Sequence, residues 1–334
     1  MRIAVDAMGG DFAPGAIVEG AVQAARVSKG HYEIVLVGDK RKIQEELSKY
    51  PLDNLQISVH HTSQKIEMND PPTAALKEKK DSSIGIAVRL HKEGKVDAVV
   101  SAGNTGAFMT AALFELGRIP GVHRPALGSF IPTERGVSII IDVGANADCK
   151  PFNLLQFGIM GSVYVAHVFD TQNPTVGLLS IGEEENKGSK LIREAHQLFK
   201  NSHLNFIGNV EGRDILKGKA EVIVCDGFVG NVVLKFTESM VGMLTSTIRR
   251  KVGGNILGNI GAYLLKPTFR KLRKLMDYQE YGGVPLLGIK GVSIKCHGSS
   301  TPKAIRNAIR EAQKMITENV NGLIEAQIAK ELGG

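Results

Sequence analysis

The sequence lacks several features that define common classes of protein. It contains no tryptophan and only 3 cysteines in 334 residues, Cys149, Cys225 and Cys296. An odd number of widely separated cysteines gives no disulfide framework and is typical of a reducing compartment. No apolar run approaches the roughly 18 residues of a membrane span, and the strand-like start of the chain lacks the zones of a signal peptide. We therefore expect a cytoplasmic protein.

Motifs for nucleotides, metals and hydrolytic nucleophiles are also absent. No two glycines are separated by a single residue, so the dinucleotide fingerprint is missing. The chain has no P-loop, no Gly-x-Ser-x-Gly elbow, no His-Glu-x-x-His and no Cys-x-x-Cys. His60 and His61 are adjacent, but neighbouring side chains on a strand point to opposite faces, so they predict no metal site. If the protein binds an anion, these absences indicate that the anion need not belong to a nucleotide.

What the sequence does contain is a regular alternation of apolar runs and helical patterns. Hydrophobic residues make up 43% and charged residues 22%, and 38 glycines indicate many tight connections. The length fits one large domain or two closely joined ones, and the alternation predicts an α/β fold. We predict one strand in the apolar run before Ser101, and others at Arg2–Ala7, Tyr32–Gly38, Leu55–His60, Gly136–Val143, Thr175–Ile181, Phe206–Gly212, Glu221–Asp226 and Val292–Cys296.

Glycine and polar residues follow at least five of these strands. In the stretch Val96–Phe108, an apolar run leads into Ser101, Gly103, Asn104 and Thr105, and then into a helix. Glycine permits turns that a Cβ forbids, and the first N–H groups of a helix point outward, where they can bind an anion. One such corner alone predicts only a helix cap. Because ligands of open α/β sheets bind at the carboxyl ends of strands, the repetition predicts that these exits share one anion-binding cleft.

Seven motifs, spread over almost the whole chain, carry a family resemblance. They are Asp6–Asp11, Ser101–Ala107, Asp142–Asn146, Ile181–Gly188, Gly208–Gly212, Cys225–Asn231 and His297–Ser300. Together they resemble the bacterial phosphate:acyl-carrier-protein acyltransferases of phospholipid synthesis. The resemblance implies transfer of a long-chain acyl group from the thioester of acyl carrier protein to inorganic phosphate, which gives acyl phosphate.

The same resemblance implies an architecture. It implies a homodimer without metal, cofactor or nucleotide, and a fold like isocitrate and isopropylmalate dehydrogenases and phosphotransacetylase. That fold is a three-layer α/β/α arrangement with a mixed, largely parallel sheet. We expect a single catalytic domain over residues 1–334, or two intertwined lobes around a cleft.

For this reaction the chain offers candidate residues at its strand exits. Phosphate is already nucleophilic and a thiolate leaves readily, so the main tasks are to align the reactants and to stabilise the tetrahedral oxyanion. We expect catalytic roles for Lys187, Asn231 and His297, with Lys187 and Asn231 facing the phosphate or the thioester oxygen. The expected substrate-binding residues are Asp6, Gly9, Gly10, Asp11, Ser83, Ser101, Gly103, Asn104, Thr105, Asp142, Asn146, Asp226, Gly227, Gly298 and Ser299. Asp6, Asp142 and Asp226 each stand at a strand exit, and we expect them to orient loops or basic groups.

Other chemistries and classes stay open at this point. A covalent route would form an acyl-cysteine at Cys225 or Cys296, although free cysteines are commonly small buried hydrophobes. A decarboxylating dehydrogenase of the same fold need not carry the dinucleotide fingerprint. A non-catalytic scaffold for a membrane or a carrier protein would leave the polar strand exits without a purpose.

The positive charge of the chain is concentrated in one segment. Between Ser239 and Met276 there are 8 basic and no acidic residues, and removing these 8 from the net charge of +7 leaves −1 for the rest. On a helical wheel from Phe269, apolar and basic side chains fall on separate faces, which predicts a protruding amphipathic hairpin at residues 245–280. Its expected membrane or carrier-protein surface consists of Leu257, Leu264, Arg270, Lys271, Leu272, Arg273, Lys274 and Leu275.

Three partners fit this predicted hairpin. An anionic membrane at the inner face of the cell membrane would attract the basic face while the apolar face inserts. An acidic acyl carrier protein and a dimer contact with a solvated basic face fit as well. Nucleic acid is not expected, because the remaining surface is close to neutral.

Overall fold

The computed structural model describes residues 1–28, 30–252, 280 and 282–333, in which strands and helices alternate as predicted. The strands are β1 (Arg2–Asp6), β2 (Glu33–Gly38), β3 (Ile57–His61), β4 (Ala98–Ser101), β5 (Ala126–Thr133), β6 (Gly136–Ile141), β7 (Val176–Leu179), β8 (Phe206–Val210), β9 (Val222–Val224), β10 (Val284–Leu287) and β11 (Val292–Lys295). The helices are α1 (Gly15–Ser28), α2 (Lys40–Leu47), α3 (Pro72–Glu78), α4 (Ser83–Lys92), α5 (Thr105–Glu115), α6 (Pro151–Val168), α7 (Lys190–Lys200), α8 (Gly212–Ile215), α9 (Gly227–Val252), α10 (Pro302–Thr317) and α11 (Val320–Gly333). The predicted membrane or carrier-protein surface, from Leu257 to Leu275, lies outside the described residues.

Two strands were not predicted, and both lie in the middle of the sheet. β5 has the sequence ALGSFIPT, and β10 has the four-residue sequence VPLL. Glycine, serine and proline weaken the strand signal in these runs, although proline is tolerated where no ladder donor is needed. Their presence changes the topology of the sheet.

The eleven strands form one sheet in the order β3-β2-β1-β4-β11-β10-β5-β6-β9-β7-β8. The five strands from β3 to β11 are parallel to one another, and so are the four from β6 to β8. β10 is antiparallel to β11 and to β5, and β5 is antiparallel to β6, so the direction reverses three times between the two groups. The carboxyl ends of the two groups of parallel strands therefore point in opposite directions, as a mixed, largely parallel sheet allows.

The short strand β10 nevertheless brings the end of β11 close to the end of β6, although these two strands run in opposite directions. Val284, the first residue of β10, pairs with Lys295 at the end of β11, and Leu286 pairs with Leu127 of β5. The N–H of Leu127 in turn donates to the carboxylate of Asp142, directly after β6. Along the strand direction, these pairings place the end of β11 and the end of β6 two residues, or about 7 Å, apart. One space can therefore adjoin the carboxyl ends of both groups of strands.

Helices pack against both faces of the sheet. Ile3 and Val5 of β1 belong to the same buried cluster as Val18 of α1, whereas Ala4 packs in a different cluster with Val88 of α4. A third cluster covers β5 and β6, with α5 and partly buried residues of α9 against that face. Across the described ranges, no helix combines the length and apolarity needed to cross a membrane.

Candidate active site

A cavity of about 590 Å³ lies over the central strands, between α5 and α9. Its volume falls within the roughly 300–1,000 Å³ typical of small-molecule sites. Its apolar lining includes Leu127, Phe130, Ile131, Pro132, Val143, Leu234, Val241 and Val284. Its polar and charged lining includes Thr105, Ser129, Asn231, Lys235, Thr237, Glu238, Lys295 and His297. The structure therefore brings three predicted site residues, Thr105, Asn231 and His297, to one cavity.

A buried carboxylate joins the exits of β1 and β4. The Oδ2 of Asp6 accepts a 2.7 Å hydrogen bond from the hydroxyl of Ser101, which accepts at 3.0 Å from the N–H of Gly103. Asp6 also accepts from the N–H of Met8 at 3.2 Å and from the hydroxyl of Ser83. Burial raises the pKa of the Asp6 carboxyl, whereas these hydrogen bonds lower it. Asp6 therefore links the loops that follow β1 and β4.

The backbones of three strand exits pack so closely here that glycine is required. A Cβ on Gly9 would overlap the buried carboxylate and the backbone of Gly103, and Gly10 has a φ of +103°. The N–H of Asp11 donates to the carbonyl of Gly298 at 2.8 Å. The exits of β1, β4 and β11 therefore form one continuous corner.

Asn104 is the N-cap of α5 and is almost fully buried. Its Oδ1 accepts from the N–H of Ala107 at 3.0 Å. Its Nδ2 donates to the carbonyls of Glu67, Met68 and Asp70, at 3.3, 2.9 and 3.0 Å. Because both polar atoms of the amide have partners, the side chain of Asn104 shapes the corner and ties a second loop to it.

His297 follows β11 and lies exposed at the edge of the cavity. Its Nδ1 is 2.8 Å from the hydroxyl of Ser299 and accepts from the N–H of Ser299 at 3.2 Å. Because Nδ1 accepts this bond, the neutral ring carries its hydrogen on Nε2. Partial burial lowers the pKa of His297, which favours the neutral ring. An Nε2–H group at this place is a donor suited to an anionic oxygen.

A second buried carboxylate organises the exit of β6. Asp142 accepts from the N–H groups of Leu127, Gly144, Ala145 and Asn146 at 2.7 to 3.2 Å, and from the amide of Asn146 at 2.9 Å. Burial raises the pKa of this carboxyl, whereas the donors lower it. Asp142 therefore holds the loop that follows β6.

The first turn of α9 is tied to this loop. The N–H of Gly227 donates to the carbonyl of Asn146 at 2.8 Å, and Asp226 caps the helix by accepting from the N–H of Val229 at 2.9 Å. The side-chain amide of Asn146 also donates to the carbonyl of Pro125 at 2.7 Å. The polar groups of these residues therefore serve the local structure.

Asn231 lies one turn further along α9, at the cavity. The helix approaches so closely that a Cβ on Gly230 would overlap the carbonyl oxygen of Asp142. The amide of Asn231 lies beside Gly144, which also lines the cavity. This close approach places the exposed amide of Asn231 where the exits of β11 and β6 meet.

Lys187 lies elsewhere. It is exposed in the loop between β7 and α7, and its N–H donates to the carbonyl of Glu184 at 3.0 Å. β9 separates β7 from β6 in the sheet, and the cavity lining does not include this loop. The three predicted catalytic residues are therefore not all assembled at one cavity.

Both candidate cysteine nucleophiles are buried. Cys225 and Cys296 are each 1% exposed. Burial raises the pKa of Cys225 well above its usual value, and that of Cys296 to about 12. Thiols of such high pKa are poor nucleophiles at neutral pH, which weighs against an acyl-cysteine route. The described residues contain no group of three or more His, Cys, Asp or Glu side chains arranged to hold a metal.

Lys295 lines the cavity and was not predicted. It ends β11, where Ser293 and Lys295 alternate with apolar neighbours. Such alternation is typical of a strand with one solvated face. The structure buries both residues instead. Val99 of β4, which pairs with Ser293, belongs to the buried cluster that contains Phe108 of α5, so this face of the sheet is covered.

The fold is that of the phosphotransacylases. A phosphotransacetylase from Streptococcus pyogenes matches with a TM-score of 0.64 and 17% identity, over 95% of this chain and 94% of that one. A branched-chain phosphotransacylase from Enterococcus faecalis V583 matches with a TM-score of 0.57 and 12% identity, over 95% and 99%. This chain is therefore an α/β protein of that fold, with a cavity where opposed strand exits meet.

Sequence similarity defines the family. The model of the family described as fatty acid synthesis protein matches residues 1–323. A phosphate acyltransferase from Thermoanaerobacterium thermosaccharolyticum is 49% identical over 328 residues, 98% of this chain and 97% of the relative. One from Geotalea daltonii is 51% identical over 321 residues, 96% and 92%. The chain belongs to this family and is an acyltransferase, which confirms the resemblance predicted from the seven motifs.

Proposed function

We propose that this chain transfers a long-chain acyl group from the thioester of acyl carrier protein to inorganic phosphate, and so supplies acyl phosphate for phospholipid synthesis. The name of the relatives supports phosphate as the acceptor. The observation that carries the proposal is a cavity with largely apolar walls into which polar groups of two opposed strand exits also project. Apolar walls suit an acyl chain, and the polar groups suit phosphate and a thioester carbonyl.

In the proposed reaction, an oxygen of hydrogen phosphate attacks the thioester carbonyl carbon. The new C–O bond forms, the C–S bond breaks, and the proton of the phosphate ends on the departing thiolate. The Nε2–H of His297 and the positive N-terminal end of α5 at Thr105 bind phosphate. The amide of Asn231 donates to the carbonyl oxygen as it becomes an oxyanion.

The direct test is to incubate the purified protein with acyl carrier protein thioester and phosphate, and to trap acyl phosphate with hydroxylamine. We expect acyl hydroxamate that depends on both protein and phosphate. Absence of phosphate-dependent hydroxamate would overturn the proposed activity. A dehydrogenase or a scaffold would give that negative result.

The role of Asn231 is tested in the same assay. Removing one oxyanion donor costs roughly 100- to 1,000-fold in turnover, so Asn231→Ala should lose about that much while it melts like the wild type. Asn201→Ala, at the exposed end of α7, is a matched control outside the cavity. Wild-type turnover of Asn231→Ala would remove the oxyanion assignment. Lys187→Ala tests whether the loop after β7 contributes to turnover as predicted.

We propose that the protein is a homodimer whose contact includes an apolar stripe of α9. Phe228, Val232, Phe236, Met240 and Met243 follow one another at intervals of three or four residues, and all are exposed with respect to the described residues. Contiguous exposed apolar stripes of a helix mark interaction surfaces.

Sedimentation of Phe236→Glu tests this contact. A buried charge at the contact should shift the dimer toward monomer, whereas Val27→Glu, an exposed apolar position on α1, should leave the mass unchanged. An unchanged dimer in Phe236→Glu would exclude this stripe.

We further propose that the basic hairpin predicted at residues 245–280 attaches the enzyme to the inner face of the membrane. The support is its sequence, in which apolar and basic side chains separate. Vesicle flotation should show binding to anionic vesicles that is lost in a variant carrying Leu272→Glu and Leu275→Glu. Undiminished binding by that variant would reject the membrane assignment of the hairpin.

Two predictions about architecture belong with this proposal. We expect the three-layer arrangement of isocitrate and isopropylmalate dehydrogenases, and one domain over residues 1–334 or two lobes around the cleft. The mixed, largely parallel sheet with helices on both faces supports them. They stay predictions.

A further inference from the structure

Lys295 stands in a row of polar residues that crosses three parallel strands. It pairs in register with Ser101 of β4, which pairs with Asp6 of β1. Paired residues of parallel strands project from the same face of a sheet. All three side chains are buried, with Lys295 only 5% exposed, and Lys295 is the member of the row that lines the cavity.

The charge of Lys295 has no carboxylate partner among the described residues. Its Nζ donates to the backbone carbonyl of Cys296, and none of the ion pairs formed by the described residues involves it. Asp6 lies two strands away and accepts hydrogen bonds from Ser101 and Ser83, and together with Asp11 it acts on Lys295 only through longer-range electrostatics. A buried ammonium without an anion is costly, which indicates that its counter-ion is a ligand.

A second lysine in the cavity lining provides a contrast. Lys235 on α9 is exposed, and its Nζ forms an ion pair with Glu238 at 2.8 Å. Its charge is already balanced within the protein. Burial lowers the pKa of Lys295 to about 8, so the group is still mainly charged near neutral pH. Of the two described lysines that line the cavity, Lys295 is therefore the one that can gain more from an incoming anion.

We propose that Lys295 is the phosphate-binding cation of this cavity, and that it holds the phosphate dianion before transfer and the acyl phosphate after it. This inference rests on the proposed function. Two further hydrogens of the ammonium remain after the bond to Cys296, and these can bind two phosphate oxygens. The bonds made and broken in the reaction are those already given, and Lys295 exchanges no proton in them. Its contribution is to bind and orient phosphate next to the thioester.

The first experiment compares Lys295→Met with Lys290→Met. Lys290 lies in the turn at the other end of β11, so both variants lose one charge from the same segment. Losing a charge-assisted hydrogen bond should raise the KM for phosphate by on the order of 10- to 100-fold in Lys295→Met, with little change in the KM for acyl carrier protein thioester. Lys290→Met should match the wild type. An unchanged phosphate KM in folded, active Lys295→Met would overturn the inference while leaving the acyltransferase activity established.

A second measurement does not depend on the folding of Lys295→Met or on turnover. Binding of inorganic phosphate alone to the wild type, measured by titration calorimetry, should weaken as the pH rises through and above about 8, where the free amine forms. Lys295→Arg keeps its charge in this range and should remove that decline. Phosphate affinity that is independent of pH between 8 and 10 in the wild type would overturn the inference. If the wild type binds phosphate in this way but makes no hydroxamate, only the proposed function fails.

Discussion

Replacing Glu311 with glutamine should make the protein more stable at alkaline pH. Glu311 of α10 is buried, and its Oε1 accepts a 2.5 Å hydrogen bond from the hydroxyl of Tyr164 of α6. Its Oε2 has no hydrogen-bond partner among the described residues. Burial raises the pKa of the carboxyl from 4.5 to about 8, against weaker opposing effects of Tyr164, Gly283 and Arg310. The folded protein therefore keeps a proton that the unfolded chain releases.

The sign and size of the effect follow from this difference. Between pH 4.5 and about 8 the unfolded chain binds fewer protons at this site, so the free energy of unfolding falls as the pH rises. Each unit of pKa difference corresponds to about 1.36 kcal/mol, which gives on the order of 5 kcal/mol over the whole interval. The stabilising contribution of Glu311 is complete below pH 4.5 and is lost above about 8. A glutamine is neutral throughout and carries no such dependence.

Urea unfolding of the wild type and Glu311→Gln, at pH values from 5 to 9, measures this directly. The difference in unfolding free energy should change by about 1.4 kcal/mol per pH unit up to about pH 8, in favour of the variant. The other buried carboxyls are common to both proteins and cancel in the difference. Glu325→Gln, at an exposed position of α11, should show no such trend. Parallel pH profiles for the wild type and Glu311→Gln would refute the reasoning.

Four further predictions concern residues of the site. Asp142→Ala leaves four buried or partly buried N–H groups without their acceptor, so unfolding free energy should fall by at least about 3 kcal/mol in urea titrations. Asn104→Ala removes a helix cap and should lower unfolding free energy by about 1–2 kcal/mol. Asn231→Ala should instead change the unfolding free energy by less than about 0.5 kcal/mol while turnover falls. Equal losses of unfolding free energy in Asn104→Ala and Asn231→Ala would contradict the assignment of a structural role to Asn104 and a catalytic role to Asn231. Cys225→Ser and Cys296→Ser should retain hydroxamate formation, and abolished turnover in a folded variant would restore the covalent route.

Features that depend on neighbours in sequence could be predicted well. The cap at Asn104 bonds to a residue three positions on, and Asp142 bonds chiefly to the loop that follows it. Ser82 likewise caps α4 by accepting from the N–H of Gly85, three positions on. Such bonds require only the right residue types at short spacing, which the sequence displays.

The positions of Lys187 and Lys295 could not be predicted in the same way. A lysine in a polar loop after a strand has the same local signal whether or not its strand borders the cavity. Lys187 follows β7, two strands outside β6, whereas Lys295 ends a strand next to the central pair. The motif around Lys187 indicates the family, but it does not give the distance of that loop from the cavity.

The sequence by itself determined the α/β class, the acyltransferase family and the polar corners at the strand exits. Those properties lie in the alternation of apolar runs, in residue types at short spacing and in seven ordered motifs. Only the tertiary structure decided which corners meet. β5 and β10 pair antiparallel with their neighbours, so the strands from β6 to β8 run opposite to those from β3 to β11. Because β10 is short, the ends of β11 and β6 nevertheless reach one cavity. The physical reason is that strand order and direction depend on pairings between distant residues, such as Lys295 with Ser101, which no local pattern encodes.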